Sequence, residues 1–197
     1  MSYADRILQM VHENNGTVTT AEVTNAGILR GHLKGLVDKG LLEHVARGVY
    51  IIPTVLNDEM FYLQMRFRRG IFSHETALFI HDLTDRTPIK FSMTFPLGYN
   101  TTSLQKENVR YMRVKKEHFD IGVVRTKSPG GNPIRVYNAE RTLCDILRGR
   151  SNTDIQVLTD AFKRYTHLKQ KDIPLLSEYA KIFRVEKKLQ SYLEVLV

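Results

Sequence analysis

Between positions 30 and 47 the chain sets Arg30, His32, Lys34, Lys39 and Arg47 in one short stretch. Arg and Lys donate hydrogen bonds to guanine O6 and N7 in a major groove, or to phosphate oxygens. His32 is a candidate contact of the same kind. At about 100° per residue, a helix from Leu29 to Lys39 places Arg30 and Lys34 on one flank and His32 and Lys39 on the other. Gly31, Gly35 and Asp38 lie between the flanks, while Leu29, Leu33, Leu36 and Val37 form the opposite, apolar face. Two glycines in a helix interior cost about 1 kcal/mol each against alanine. Either the backbone must approach something closely there, or the helix begins later than Leu29. Arg47, in an Arg-Gly turn, is placed to meet phosphate or a minor groove, or else is a solvated turn residue.

A second set of basic residues lies on expected strands and the loop between them: Arg110, Arg113, Lys115, Lys116, Arg125, Lys127 and Arg135. Arg113 with Lys115, and Arg125 with Lys127, share strand faces at period two. They form either a second functional surface or the solvent-facing side of a sheet. The candidates for catalysis are thinner. Glu140 and Asp145 are five apart and point to different sides of one helix, so they make no acid–base pair. Glu140 suits the positive start of that helix, and Arg141 suits a carboxylate or the sheet. Ser73 reads as a helix cap, and Cys144, among Leu143, Ile146 and Leu147, as a buried inert thiol. No Gly-rich phosphate loop and no zinc spacing is present, so no cofactor, metal or catalytic residue is expected.

The elements that position these groups follow from caps and periodicity. Ser2 with Asp5 opens a helix whose stripe is Ala4, Ile7, Leu8 and Val11, closed by Asn14-Asn15-Gly16. Thr19 and Glu22 form a capping box for a short second helix ending near Ala26-Gly27. After the third helix, Leu41–Ala46 and Val49–Ile52 flank Arg47-Gly48 as a hairpin. Helix, helix, helix and two-stranded hairpin is the order of a winged helix-turn-helix. From Pro53 onward, helices are expected at 58–67 after Asn57, 74–81 after Ser73, 139–147 after Asn138, 153–165, 173–183 and 185–196. Strands are expected at 89–95, 109–115, 121–127 and 133–137. The fold class is thus α+β: a winged helix-turn-helix over residues 1–53, then an α+β domain over 54–197 with an antiparallel sheet and C-terminal helices.

The 197 residues carry 29 basic and 21 acidic side chains, a net charge of +8. Five of each sign fall in residues 1–55, so the whole excess lies beyond them. That balance suits a polyanionic partner, and phosphate contacts beyond those of the first module are expected from the second. A single cysteine excludes an intrachain disulfide. No apolar run approaches the ~18 residues of a membrane span. The start, MSYADRILQMVHEN, reads as no secretory leader. No membrane partner is expected, and the expected location is the cytoplasm.

The stretch ILRGHLKGLVDKGLLEHVARGVYII resembles the winged helix of AbiEi-type antitoxins. SHETALFIHDL and VYNAERTLCDIL resemble hallmark stretches of that family's C-terminal domain. The resemblance implies an antitoxin of a bacterial abortive-infection, type IV toxin–antitoxin system, active in phage resistance. Its N-terminal domain would bind inverted repeats in its own promoter and repress the operon. Its C-terminal domain would counteract a nucleotidyltransferase-like toxin, with or without stable contact. Carried onto this chain, the recognition-helix positions are Arg30, His32 and Lys34, and the wing position is Arg47. The alternatives are a nuclease or nucleotide-modifying enzyme targeted by the winged helix, with Asp82, Asp85 and Asp120 as scattered carboxylates, or a ligand-responsive repressor.

Overall fold

The computed structural model describes residues 2–148 and 153–196. The chain forms two compact units, Met1–Arg68 with Lys127–Ile134, and Arg69–Thr126 with Arg135–Val197.

The first unit opens with α1 (Tyr3–Glu13). Ser2 Oγ accepts from Asp5 N at 3.2 Å and the Asp5 carboxylate accepts from Ser2 N at 2.8 Å, a closed capping box. The backbone hydrogen bond and hydroxyl of Ser2 hold the Asp5 carboxyl below its ordinary range. Asn15 and Gly16 take left-handed angles at the helix end. A Cβ on Gly16 would lie 2.6 Å from Val55 Cγ2, so packing there excludes a side chain. Next come β1 (Thr17–Thr19) and α2 (Thr20–Asn25), the latter capped by the expected Thr19–Glu22 box.

The third helix, α3, runs Gly31–Asp38 and starts two residues later than the sequence suggests. Ile28 takes the core position and is buried, whereas Leu29 is 79% exposed. Leu29 therefore does not belong to the core face; Leu33 and Leu36 do, with Val37 partly buried against them. Strands β2 (Glu43–Ala46) and β3 (Val49–Ile51) form the wing, with a register shift between His44 and Ala46. The short β1 pairs antiparallel with β3, making a three-stranded sheet in place of the expected two-stranded hairpin. Gly48 has φ +70°, which glycine adopts without strain. Its carbonyl accepts from Thr20 N at 2.9 Å, tying the wing to the start of α2. Ile7, Val11, Val18, Val23, Leu33, Leu36 and Leu42 close one core around these elements.

A 3-10 turn (Pro53–Asn57) leads to α4 (Glu59–Arg66). The cap is Asp58 rather than Asn57: its side chain accepts from Phe61 N at 3.1 Å. The same carboxylate accepts from Ser128 Oγ and, at 2.8 Å, from Asn132 Nδ2. Asp58 thus holds the Ser-Pro-Gly-Gly-Asn turn as well as the helix.

The second unit contributes β4 (Ile71–Phe72), α5 (His74–Ile80), β5 (Phe91–Pro96), β6 (Val109–Val114) and α6 (Lys116–Phe119). The hairpin β7 (Val123–Lys127) and β8 (Pro133–Tyr137) follows. The five strands lie in the order β6-β5-β4-β8-β7. β5–β6 and β4–β8 are parallel and β4–β5 is antiparallel. The sheet is therefore mixed rather than wholly antiparallel: β6 returns parallel to β5, and β4, two residues long, lies between β5 and β8.

Four helices complete the unit: α7 (Ala139–Leu147), α8 (Ile155–His167), α9 (Ile173–Phe183) and α10 (Glu186–Leu196). Asn138 caps α7 as expected, accepting from Arg141 N at 3.0 Å. Every residue of α7 from Glu140 to Leu147 is buried. Leu143, Cys144, Phe162, Tyr165, Leu176 and Ala180 pack together in the core of this unit.

Candidate nucleic-acid interface

Side chains at about 100° intervals divide α3 into two faces. Leu33 and Leu36 point into the core, and Gly31, His32, Lys34, Gly35 and Asp38 are exposed. A Cβ added to Gly31 or Gly35 would meet no atom within 4 Å. The first unit's own packing therefore does not demand glycine at either place. Gly31 is the first helical residue, where the helix-propensity cost is small; Gly35 is interior and carries the full cost. The centre of the exposed face is thus bare backbone, with Lys34 on one flank and Lys39 on the other.

Arg30, Lys34, Lys39 and Arg47 are exposed, and none has an ion-pair partner among the described residues. Arg30 holds the N-cap position in helical backbone without a side-chain capping bond, so its guanidinium is not engaged by the helix end. Arg47 projects at the wing turn. His32 lies against Tyr3, ring centroids 5.2 Å apart, which fixes its ring on the α1 side of the helix. His44, on the wing, lies 4.8 Å from the Tyr50 ring. The exposed Leu29 stands directly before Arg30, an apolar group able to touch a thymine methyl. Sequence reasoning assigns Leu29 to the core because its spacing to Leu33 is four. The preceding Gly27-Ile28 pair is the signal that Ile28 fills that place.

The second basic set does not come together. β6 and β7 are the two edge strands, with three strands between them. Arg110 and Arg113 lie on the first, Arg125 and Lys127 on the second. Arg110 pairs with Glu75 at 3.4 Å and Lys115 with Glu117 at 3.6 Å. Lys115 lies past the end of β6, and Lys116 opens α6. Arg135 is half-buried and donates to Gly70 O at 3.3 Å; burial and then Arg125 lower its pKa.

The buried polar groups have structural occupations. Arg141 is 0% exposed. It donates to Asp145 at 2.9 Å, to His118 O at 2.7 Å and to Ile121 O at 3.1 Å. Its guanidinium lies between the Tyr137 and Phe183 rings, 4.3 and 4.0 Å from their centroids. Glu140 accepts from the Tyr165 hydroxyl at 2.9 Å, a tertiary role beyond the start of α7. Ser73 stands at the N-cap position of α5 but makes no capping bond: its Oγ accepts from Thr94 Oγ1 at 2.9 Å and lies 3.0 Å from His74 Nδ1. Both Ser73 and His74 are buried, and burial lowers the His74 pKa. Burial likewise pushes the Cys144 thiol up to about 12. Asp85 pairs with Arg164. Among the described residues no group of three or more His, Cys, Asp or Glu side chains could hold a metal. No described helix is long and apolar enough to cross a membrane.

Residues 5–53, the segment from α1 to the wing, match the family described as transcriptional regulator, AbiEi antitoxin. No curated protein matches the chain. Among solved structures, that of the RV2827C protein from Mycobacterium tuberculosis aligns over 98% of this chain and 80% of that one. The identity is 13% and the TM-score 0.49.

Proposed function

We propose, from the AbiEi antitoxin regulator match of residues 5–53, that this protein represses its own operon by binding inverted repeats in promoter DNA. In this reading α3 enters the major groove along its Gly31–Gly35 face. Arg30, Lys34 and Lys39 then reach base edges or phosphates on both sides, with His32 a further candidate contact, and Arg47 of the wing meets the backbone or minor groove. The observation that carries the reading is the exposed face of α3: two glycines open to solvent, flanked by cations with no carboxylate partner among the described residues. Acting in the cytoplasm, the protein also opposes a nucleotidyltransferase-like toxin, the antitoxin half of the role.

The test is binding of the full chain to its promoter duplex as a function of salt. Removing one cation–phosphate interaction lowers the slope of log K against log salt by about 0.9. Lys34→Ala and Arg47→Ala are expected to weaken binding and flatten that slope, and to derepress a promoter reporter while leaving toxin neutralisation intact. Wild-type DNA affinity in the double variant overturns the assignment of this face.

A further inference from the structure

Two open clefts of about 680 and 530 Å³ meet in the second unit and share Arg148, Phe183 and Arg184. Each is within the size range, roughly 300–1,000 Å³, of sites that take a nucleotide-scale group. Their walls come from distant parts of the chain. Arg113 and Lys115 stand on one side, at the end of β6; Arg184, just past α9, and Lys187 and Lys188, in the first turn of α10, stand on the other; Arg148 lies at the end of α7. Two carboxylates, Glu117 and Glu186, line the same space. Glu117 is engaged with Lys115 and His118, each at 3.6 Å, and Arg148 approaches Asp145 at 3.8 Å. Arg113, Arg184 and Lys187 have no ion-pair partner among the described residues and are exposed.

Three further observations mark the cleft as built. Arg184 closes α9 in the left-handed conformation, φ +57°, a position where glycine is the ordinary residue. An arginine accepts backbone strain there, and Arg184 lines both clefts. Arg148 lies over the Phe183 ring at 5.9 Å, and the buried Arg141 lies 4.0 Å from the centroid of the same ring. Arg148 is half-buried, so its guanidinium remains in reach of a base that could stack on it. Leu97, 65% exposed, lines the second cleft, offering an apolar contact among the cations.

We propose that this cleft binds a single strand of nucleic acid, with Arg113, Arg184 and Lys187 on successive phosphates and Arg148 as the stacking platform. A cationic channel with a flat stacking group follows one strand. The site belongs wholly to the second unit and does not depend on the promoter reading.

The test is fluorescence anisotropy of the full-length protein with a labelled eight-nucleotide oligo-dT or oligo-U, over a salt series. Arg184→Gly removes the guanidinium while suiting the backbone, so the thermal midpoint is expected to hold or rise. Arg184→Gly and Arg113→Gln should each lower affinity roughly tenfold, the scale of one charge-assisted hydrogen bond. Each should flatten the salt slope by about 0.7. Lys106→Gln, an exposed cation of the same unit outside the cleft, removes the same charge and should change neither. Equal losses in all three variants overturn the proposal in favour of diffuse charge, and no loss in the cleft variants overturns it outright. Equal losses on a duplex of the same length overturn the single-strand assignment.

Discussion

Replacing Gly35 by alanine separates what α3 needs for folding from what it needs for its partner. Gly35 is interior to the helix, and a Cβ there meets nothing within 4 Å. The substitution therefore adds no clash and removes the conformational freedom of glycine. The expected gain is about 0.8–1.0 kcal/mol. In a chain of this size that is a rise of roughly 2–4 °C in thermal midpoint, followed by circular dichroism. On DNA the sign reverses. The new methyl sits at the centre of the face that approaches the groove, where one extra carbon in a close-packed interface costs about 1–3 kcal/mol. That is a reduction of roughly 5- to 150-fold in affinity for the promoter duplex by anisotropy. Gly31→Ala, at the first helical position, should stabilise less and still weaken binding. A Gly35→Ala protein that is more stable and binds as tightly as wild type refutes the close-approach reasoning. A protein that is less stable refutes the claim that the fold leaves the position free.

Three further outcomes follow from the second unit. Arg141→Met removes the 2.9 Å partner of the buried Asp145, leaving it only Arg148 at 3.8 Å, and should cost about 3–5 kcal/mol by urea denaturation; a loss below about 1 kcal/mol contradicts the buried-pair reading. Cys144, with its thiol pushed up to about 12, is only about one part in ten thousand thiolate at pH 8. It should resist Ellman's reagent in the native protein and react on unfolding; rapid native labelling contradicts its burial. Burial lowers the His74 pKa, so the unfolded chain binds more protons as pH falls through about 6.5, and native stability should drop below that pH. His74→Asn, which suits the left-handed backbone at φ +50° and does not titrate, should reduce that drop.

Much of the architecture is readable because it is local. The Ser2 cap, the Thr19–Glu22 box and the Asn138 cap each join residues three apart and form as expected, and Asp5 closes the first into a full capping box. The α3 stripe is readable too, apart from its first residue. Leu29 fits the helical period, but Ile28 reaches the core first and Arg30 begins the helix end. The strands β1 and β4 have three and two residues, too few for a pattern to register. β4 forms because the longer β5 and β8 pair with it, and β1 forms by pairing with β3, itself three residues long. β4 pairs antiparallel with β5 and parallel with β8, and β5 pairs parallel with β6, so the sheet is mixed.

The amino-acid sequence by itself determined the module order, the helix limits set by caps, and the cationic flanks of α3, since all of these depend on neighbours within a turn or two. Tertiary structure alone decided which basic residues share a surface. Strand order sends Arg110 and Arg125 to opposite edges, although both were expected on one basic face. Arg113, Arg148 and Arg184 meet around one cleft although no spacing connects them. Charge acts through space, and only the packed chain fixes the distances across which it acts.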